Sequence, residues 1–352
     1  MTGNLTIRLQ RAGVIVELQG DAEVVRAAFA DLQTNGLGAL VPYFDLPDTT
    51  TGAASSPSAG QGSTPLLTKS AASYKFLLDS MILPTIQHPF SLDINGDGRL
   101  DNQFANIISA LTSQSLNLQA MVDAEMKSAP PIMLLTVATE LSTLRPDQRA
   151  VVTLFAGTPV KASSRVYIVD TSVPAVTLQG RITAGRFASD DPRTGGLLVE
   201  REIRLPLGGG IDPILSVQGL RLAFDISADG SAISNGQLTG SVKQSDVLSG
   251  LIPALAGTMT SIIQAAPKSS AAKTISQLFD KGGCTNPGGT VAQANDGVID
   301  VCELLTNPLI MSLIQPDVQI WDAQGHFAPN SLGGSPDSMS IGIGFSAITA
   351  TY

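Results

Sequence analysis

Between residues 132 and 245 the chain repeats one pattern: a short run of alternating apolar and polar residues, then a turn of Gly, Pro or Asp, then alternation again. A period of two puts an extended strand's apolar residues on one face, so a series of such strands must close on itself or pack against a second sheet. Strands are expected at 132–140, 150–156, 164–169, 174–188, 196–206, 215–227 and 232–242. That spacing of roughly 8–12 residues is the spacing of a sandwich or barrel. Helical periodicity lies on both sides. It covers 72–83 before Pro84, a helix carrying Phe104, Ile107, Ile108 and Leu111, then 116–127, 246–265, 270–279 and Leu304–Ile314. Strands at Val318–Trp321 and 338–352 complete the chain. The expected fold class is α+β, a β-rich central sandwich or barrel-like body flanked by helices.

A small N-terminal ββα module precedes this body. Leu5, Ile7 and Leu9 alternate, as do Val14, Val16 and Leu18, and Asp21 caps a helix over Ala22–Gln33. The expected division is a ββα module at 1–46, a Gly/Ser/Pro-rich linker at 47–72 and a helical segment at 73–131. A β-rich body follows at 132–245, a second helical segment at 246–315, and closing strands at 316–352.

Two segments carry metal chemistry. In Asp93-Ile94-Asn95-Gly96-Asp97-Gly98-Arg99-Leu100-Asp101, oxygen-bearing side chains recur at every second position, followed by a glycine, an apolar residue and another carboxylate. Ca²⁺ takes six to eight oxygen ligands, and a glycine after the third lets the backbone turn around the ion. Asp93, Asn95 and Asp97 take loop positions 1, 3 and 5, the Arg99 carbonyl position 7 and Asp101 position 9, while Leu100 points into a core. Position 12, where a bidentate Glu belongs, holds Phe104. The competing reading is an Asx-rich turn.

The second segment, Asp296-Gly297-Val298-Ile299-Asp300-Val301-Cys302-Glu303, matches positions 5 to 12 of the same loop. Asp296 is its third ligand, the Val298 carbonyl its seventh position, Asp300 its ninth and Glu303 its bidentate carboxylate. Asp280 supplies position 1, with roughly a dozen residues inserted within Lys281–Asn295 relative to an uninterrupted loop. Asn286 or Asn295 could supply position 3. Cys284 and Cys302, the two cysteines of the chain, bracket the insertion. A disulfide would hold Glu303 near Asp280 and imply an oxidising compartment; the alternative is two unrelated buried thiols. Asp225-Ile226-Ser227-Ala228-Asp229-Gly230 imitates the pattern without its later acids and reads as a hairpin turn.

Both loops resemble the calcium-loop superfamily of EF-hands, dockerins and thrombospondin type 3 repeats. Over roughly residues 75–352 the arrangement also resembles uncharacterised secreted or surface proteins of delta-proteobacteria. These resemblances imply Ca²⁺ at both loops and no known activity. The two loops are expected to pair, with Leu100 beside Ile299.

Charged residues make up only 14% of the chain, with 34 Gly and 21 Pro. This suits a β-rich extracellular protein with uncharged polar faces. The net charge of −9 and the lack of a basic patch argue against nucleic acid. No apolar run reaches the roughly 18 residues of a transmembrane helix, and no signal peptide is visible at Met1-Thr2-Gly3-Asn4. Neither His88 nor His326 has spaced metal partners, and no nucleophile elbow, P-loop or dinucleotide fingerprint occurs. The expected function is a non-enzymatic, calcium-stabilised secreted or cell-surface protein that engages a protein or glycan, with self-assembly through residues 1–46. The alternatives are an outer-membrane β-barrel, suggested by the alternation ending at Tyr352, and a calcium-dependent extracellular hydrolase.

Overall fold

The structure is a computed structural model that describes residues 4–11, 14–21, 71–114, 116–128, 132–160, 166–194, 196, 198–207, 213–322, 324–329 and 334–352. The chain divides into two units, Met1–Gly60 and Gln61–Tyr352. In the first, β1 (Asn4–Arg11) and β2 (Val14–Asp21) form the expected antiparallel hairpin, with Asn4 opposite Asp21. The expected helix at Ala22–Gln33 and residues 47–70 of the expected 47–72 linker lie outside the described residues, and the linker's last residue, Ala72, opens β3.

Among its described residues the second unit has ten strands: β3 (Ala72–Ile82), β4 (Met133–Thr139), β5 (Gln148–Pro159), β6 (Tyr167–Val169), β7 (Val176–Thr183), β8 (Arg186–Ser189), β9 (Glu200–Arg204), β10 (Ile214–Ile226), β11 (Ala232–Lys243) and β12 (Ser338–Thr349). Eight of them close a ring in the order β3, β4, β5, β7, β8, β10, β11, β12 and back to β3, every pairing antiparallel. The body is therefore a barrel and not a sandwich. β6 attaches to the end of β5, and β9 extends the wall along the part of β10 that the short β8 leaves free.

Over 72–83 the expected helix is replaced by β3, which spans Ala72–Ile82. Leu, Met and Lys favour a helix in isolation, but this segment fills the gap between β12 and β4, and both partners satisfy its backbone. The single strand expected at 174–188 is two, split where Ala184 and Gly185 take φ of 52° and 88°. Val318–Trp321 makes isolated bridges, to Ser338 and Phe327, in place of a strand. Ser227–Ser231 joins β10 to β11 as the anticipated turn, with Gly230 at φ 70°.

Apolar side chains fill the barrel. Phe187 stacks on Phe224 with ring centroids 5.0 Å apart, and Phe345 meets Phe224 edge-on at 6.1 Å. Ile341 and Ile343 share the Phe345 face of β12 and are buried with them. The other face of β12 runs Ser340, Gly342, Gly344 and Ser346, and the chain before the helices lies directly on it. A Cβ on Gly342 would come within 2.1 Å of the Phe90 carbonyl oxygen. Arg181 and Arg186 stand exposed on the outer wall.

Because the strands alternate in direction, long and short connections separate to opposite rims. One rim carries the tight β4–β5, β7–β8 and β10–β11 turns; the other carries 83–132, 160–175, 190–213 and 244–337. The longer helices among the described residues of this unit belong to that second rim. They are α1 (Gln103–Ser113), α2 (Leu118–Ser128), α3 (Ile252–Ala265), α4 (Ser270–Phe279), α5 (Val301–Thr306) and α6 (Pro308–Leu313). The one helix expected at Leu304–Ile314 is two, because Pro308 starts α6 and Asn307 caps it by accepting the Leu309 and Ile310 N–H groups. A helical turn and a π-helical stretch lead into α3. The resulting Gln244–Ala265 helix is long and apolar enough to cross a membrane, and half of its most apolar window is buried in the fold.

Candidate metal centre

The late loop is built by two helix ends. Phe279, the last residue of α4, is buried and delivers Asp280 to the interior, where it is 1% exposed. On the other side Asp300 is the N-cap of α5 and Glu303 its third residue; Glu303 Oε2 accepts the Asp300 N–H at 2.9 Å. Asp300 and Glu303 thus form a capping box at the start of α5. The Cys284–Cys302 disulfide is formed, with Cα atoms 5.8 Å apart, and it ties the insertion to α5.

Asp280 Oδ2 accepts the Gly297 N–H at 3.0 Å, a contact from position 6 back to position 1 across the whole insertion. Gly297 makes it with φ of 79°, a conformation costly for residues with a Cβ. Asp280 Oδ1 has no hydrogen-bond partner and no solvent. A buried carboxylate oxygen in that condition is costly unless a cation or donor meets it. Asp296 Oδ1 accepts the Val298 N–H at 2.9 Å. Glu303 Oε1 accepts the N–H groups of Lys281 at 2.7 Å and Gly282 at 2.6 Å. Asn286, one of the two candidates for position 3, donates to Asp300 Oδ1 at 2.7 Å and accepts the Cys302 N–H at 3.2 Å. Both ends of its amide are thus committed to the α5 terminus. Asn295, the other candidate, is exposed with φ of 58°.

The early loop has the same internal wiring. Asp93 Oδ1 accepts the Gly96 N–H at 2.6 Å and Oδ2 the Gly98 N–H at 3.3 Å. Asn95 accepts from Asp97 N–H at 3.1 Å, Asp97 from Arg99 N–H at 2.8 Å, and Asp101 from Ile94 N–H at 2.9 Å. Gly96 and Gly98 hold φ of 86° and 82°. Leu92 and Asp101 exchange backbone hydrogen bonds and close the loop's base. Burial, with the nearby charges of Asp317, Asp97 and Asp93, pushes the Asp101 carboxyl up to about 6.

Two expectations about this loop do not hold. Leu100 does not enter a core: it is 73% exposed, and Ile94 is instead the loop's buried residue, packed with Val318 and Ile320. Nor do Leu100 and Ile299 pair. Ile299 is buried in the main core, and its N–H goes to the Thr260 hydroxyl of α3 at 2.8 Å. The early loop docks on the segment before β12 and the late loop on α3, so each serves a different neighbour.

Among the described residues, no three His, Cys, Asp or Glu side chains converge as a metal cluster. The carboxylates face backbone amides. At Asp93 they also face a cation, because Arg193 Nη1 lies 3.3 Å from Asp93 Oδ1 while its other nitrogens hold Asp191. No sequence signal marks Arg193, which sits about 100 residues from Asp93 and is brought there by the β8–β9 connection. The late loop differs in holding a buried carboxylate oxygen, Asp280 Oδ1, that no protein donor satisfies. Comparison with protein-family models, curated proteins and solved structures finds no match for this chain.

Proposed function

We propose that this chain is a calcium-stabilised, secreted or cell-surface barrel protein that acts by binding and not by catalysis. The observation that carries the reading is the unpartnered, buried Oδ1 of Asp280 in a loop whose later residues follow an EF-hand pattern. Asp280, Asp296, the Val298 carbonyl, Asp300 and Glu303 would hold the ion. Ca²⁺ would cancel the buried charge and join α4 to α5. At the early loop, Asp93, Asn95, Asp97, the Arg99 carbonyl and Asp101 form a weaker site, because a metal must displace Arg193. The disulfide supports an oxidising compartment, where millimolar calcium suits imperfect loops.

The apolar filling of the barrel and the arginines on its outer wall favour water over lipid around it. Partners at the surface would be a protein or a glycan, and the β1–β2 hairpin unit remains the proposed element for self-assembly. Calorimetric unfolding in millimolar CaCl₂ and in excess EDTA, under non-reducing conditions, tests the metal. A calcium-dependent rise in melting temperature that Asp280→Ala abolishes is expected. No rise in the natural protein would reduce both loops to turns, and an equal rise in the variant would take the calcium effect away from the late loop.

A further inference from the structure

At the helical rim the barrel interior opens into a cavity of about 470 Å³. Most of its exposed wall is apolar, from residues such as Leu78, Met81, Met133 and Val173, and Asp170, Glu202 and Arg204 also line it. Arg201 lines it too and is 7% exposed. Val199, Arg201, Ile203 and Leu205 are buried at alternate positions, so the arginine occupies an apolar site in the strand pattern. In register, Arg201 lies opposite Val217 and Ile203 opposite Leu215. Opposite residues share a face, and Val217 and Leu215 belong to the core that fills the barrel. Arg201 therefore points inward at the barrel mouth.

Its guanidinium is poorly satisfied there. Nη1 donates to the Pro174 carbonyl at 2.7 Å, and Nε has no partner. Glu202, next in sequence, is exposed on the opposite face of β9. Among the described residues no carboxylate reaches Arg201 as a salt bridge, and the Glu202 charge only partly offsets the burial of the guanidinium. Burial pulls its pKa below the usual guanidinium value, a sign that the charge is under-compensated. A buried cation without a directly bonded anion is costly, and an anion that meets it is correspondingly favoured. Cavities of this size at barrel mouths, with a few polar groups in an apolar wall, are the usual form of small-molecule sites.

We propose that this mouth binds a monoanionic amphiphile of the fatty-acid class, its carboxylate on Arg201 and its chain along Leu78, Met81 and Met133. The site is separate from both calcium loops and stands whether or not they bind metal. Arginine suits the role because it can meet a carboxylate with two parallel hydrogen bonds. The apolar stretch formed by Leu78, Met81 and Met133 gives a tail a place to lie beside the arginine.

The test is titration calorimetry of the full chain, in EDTA, with dodecanoate below its micellar concentration. Dodecanol and dodecyltrimethylammonium serve as tail-matched controls. One dodecanoate per chain is expected, bound on the order of tenfold or more tighter than dodecanol. In Arg201→Leu the two should bind alike, while Arg201→Lys should keep part of the preference. Should Arg201→Leu fail to fold, carboxyl-¹³C dodecanoate on the natural protein decides. A bound signal that remains ionised well below the free acid's titration places the carboxylate beside a cation. Absence of saturable binding, equal affinity for all three amphiphiles, or normal titration of the bound carboxyl would overturn the proposal.

Discussion

At the scale of single residues, Asp280 and Asp101 separate what calcium does from what burial does. Asp280→Asn removes the buried charge without changing its shape. In EDTA the variant should match or exceed the natural protein in stability, because an uncompensated carboxylate oxygen is gone. In calcium it should lose the metal's contribution, about 2.7 kcal/mol at a hundredfold excess over Kd. Paired thermal melts check both halves. Asp101 tests the early loop through pH. Its pKa is raised to about 6 in the fold, above the ordinary carboxylate value of roughly 3.9, so the folded state prefers it protonated. The stabilisation from that preference is present at low pH and lost as pH climbs through about 6. Asp101→Asn should therefore be more stable than the natural protein at pH 7 in EDTA, with the gap closing by pH 4. A constant gap across that range in parallel denaturant titrations would contradict the assignment.

At the scale of elements, the disulfide and the glycine face of β12 each hold two parts of the fold together. Cys284 and Cys302 clamp the insertion that separates Asp280 from Glu303. Replacing both by Ser should cost about 3 kcal/mol, the entropy of an unclosed loop of this length in the chain model. It should also weaken calcium binding, because the two ends of the loop then move independently; urea unfolding and a calcium titration read the two effects. On β12, a methyl at Gly342 would overlap the Phe90 carbonyl and the Asn102 side chain, and one at Gly344 would overlap the Phe90 ring. Asn102 is also the N-cap of α1, accepting the Ala105 N–H at 3.2 Å. Gly342→Ala should therefore loosen the early loop and α1 along with the strand. An overpacking cost of about 1–3 kcal/mol is expected, with faster amide exchange in α1; unchanged exchange there would separate the two elements.

At the scale of the whole molecule, the barrel closes using strands from Ala72 onward, and β3 is the strand that completes the ring. Removing residues 1–60 should leave the main unfolding transition and its calcium response within about 2 °C of the full chain, a shift equivalent to roughly 1 kcal/mol or less. A larger drop, followed by calorimetry, would mean that the two units share stability. The sorting of long connections to one rim gives both loops and the Arg201 cavity a common end of the barrel, opposite the tight turns. Closure itself removes sheet edges from the ring, which protects a chain this rich in alternating apolar strands from pairing with its neighbours.

Much of this was written in local pattern. The alternation from Met133 to Lys243, the Asp229-Gly230 turn and the Asp280–Glu303 loop with its bracketing cysteines follow from residues near one another in sequence, and local sterics and hydrogen bonding suffice to read them. Even Arg201 left a trace, one cation in the buried face Val199, Ile203 and Leu205. Tertiary structure alone decided the rest. Residues 72–82 carry helix formers and became a strand because β12 and β4 needed a partner between them. Leu100 turned to solvent while Ile94 found Val318 and Ile320. Arg193 reached Asp93 across the chain. Each of these outcomes depends on contacts between residues distant in sequence, whose strength comes from burial and pairing partners that no local window contains.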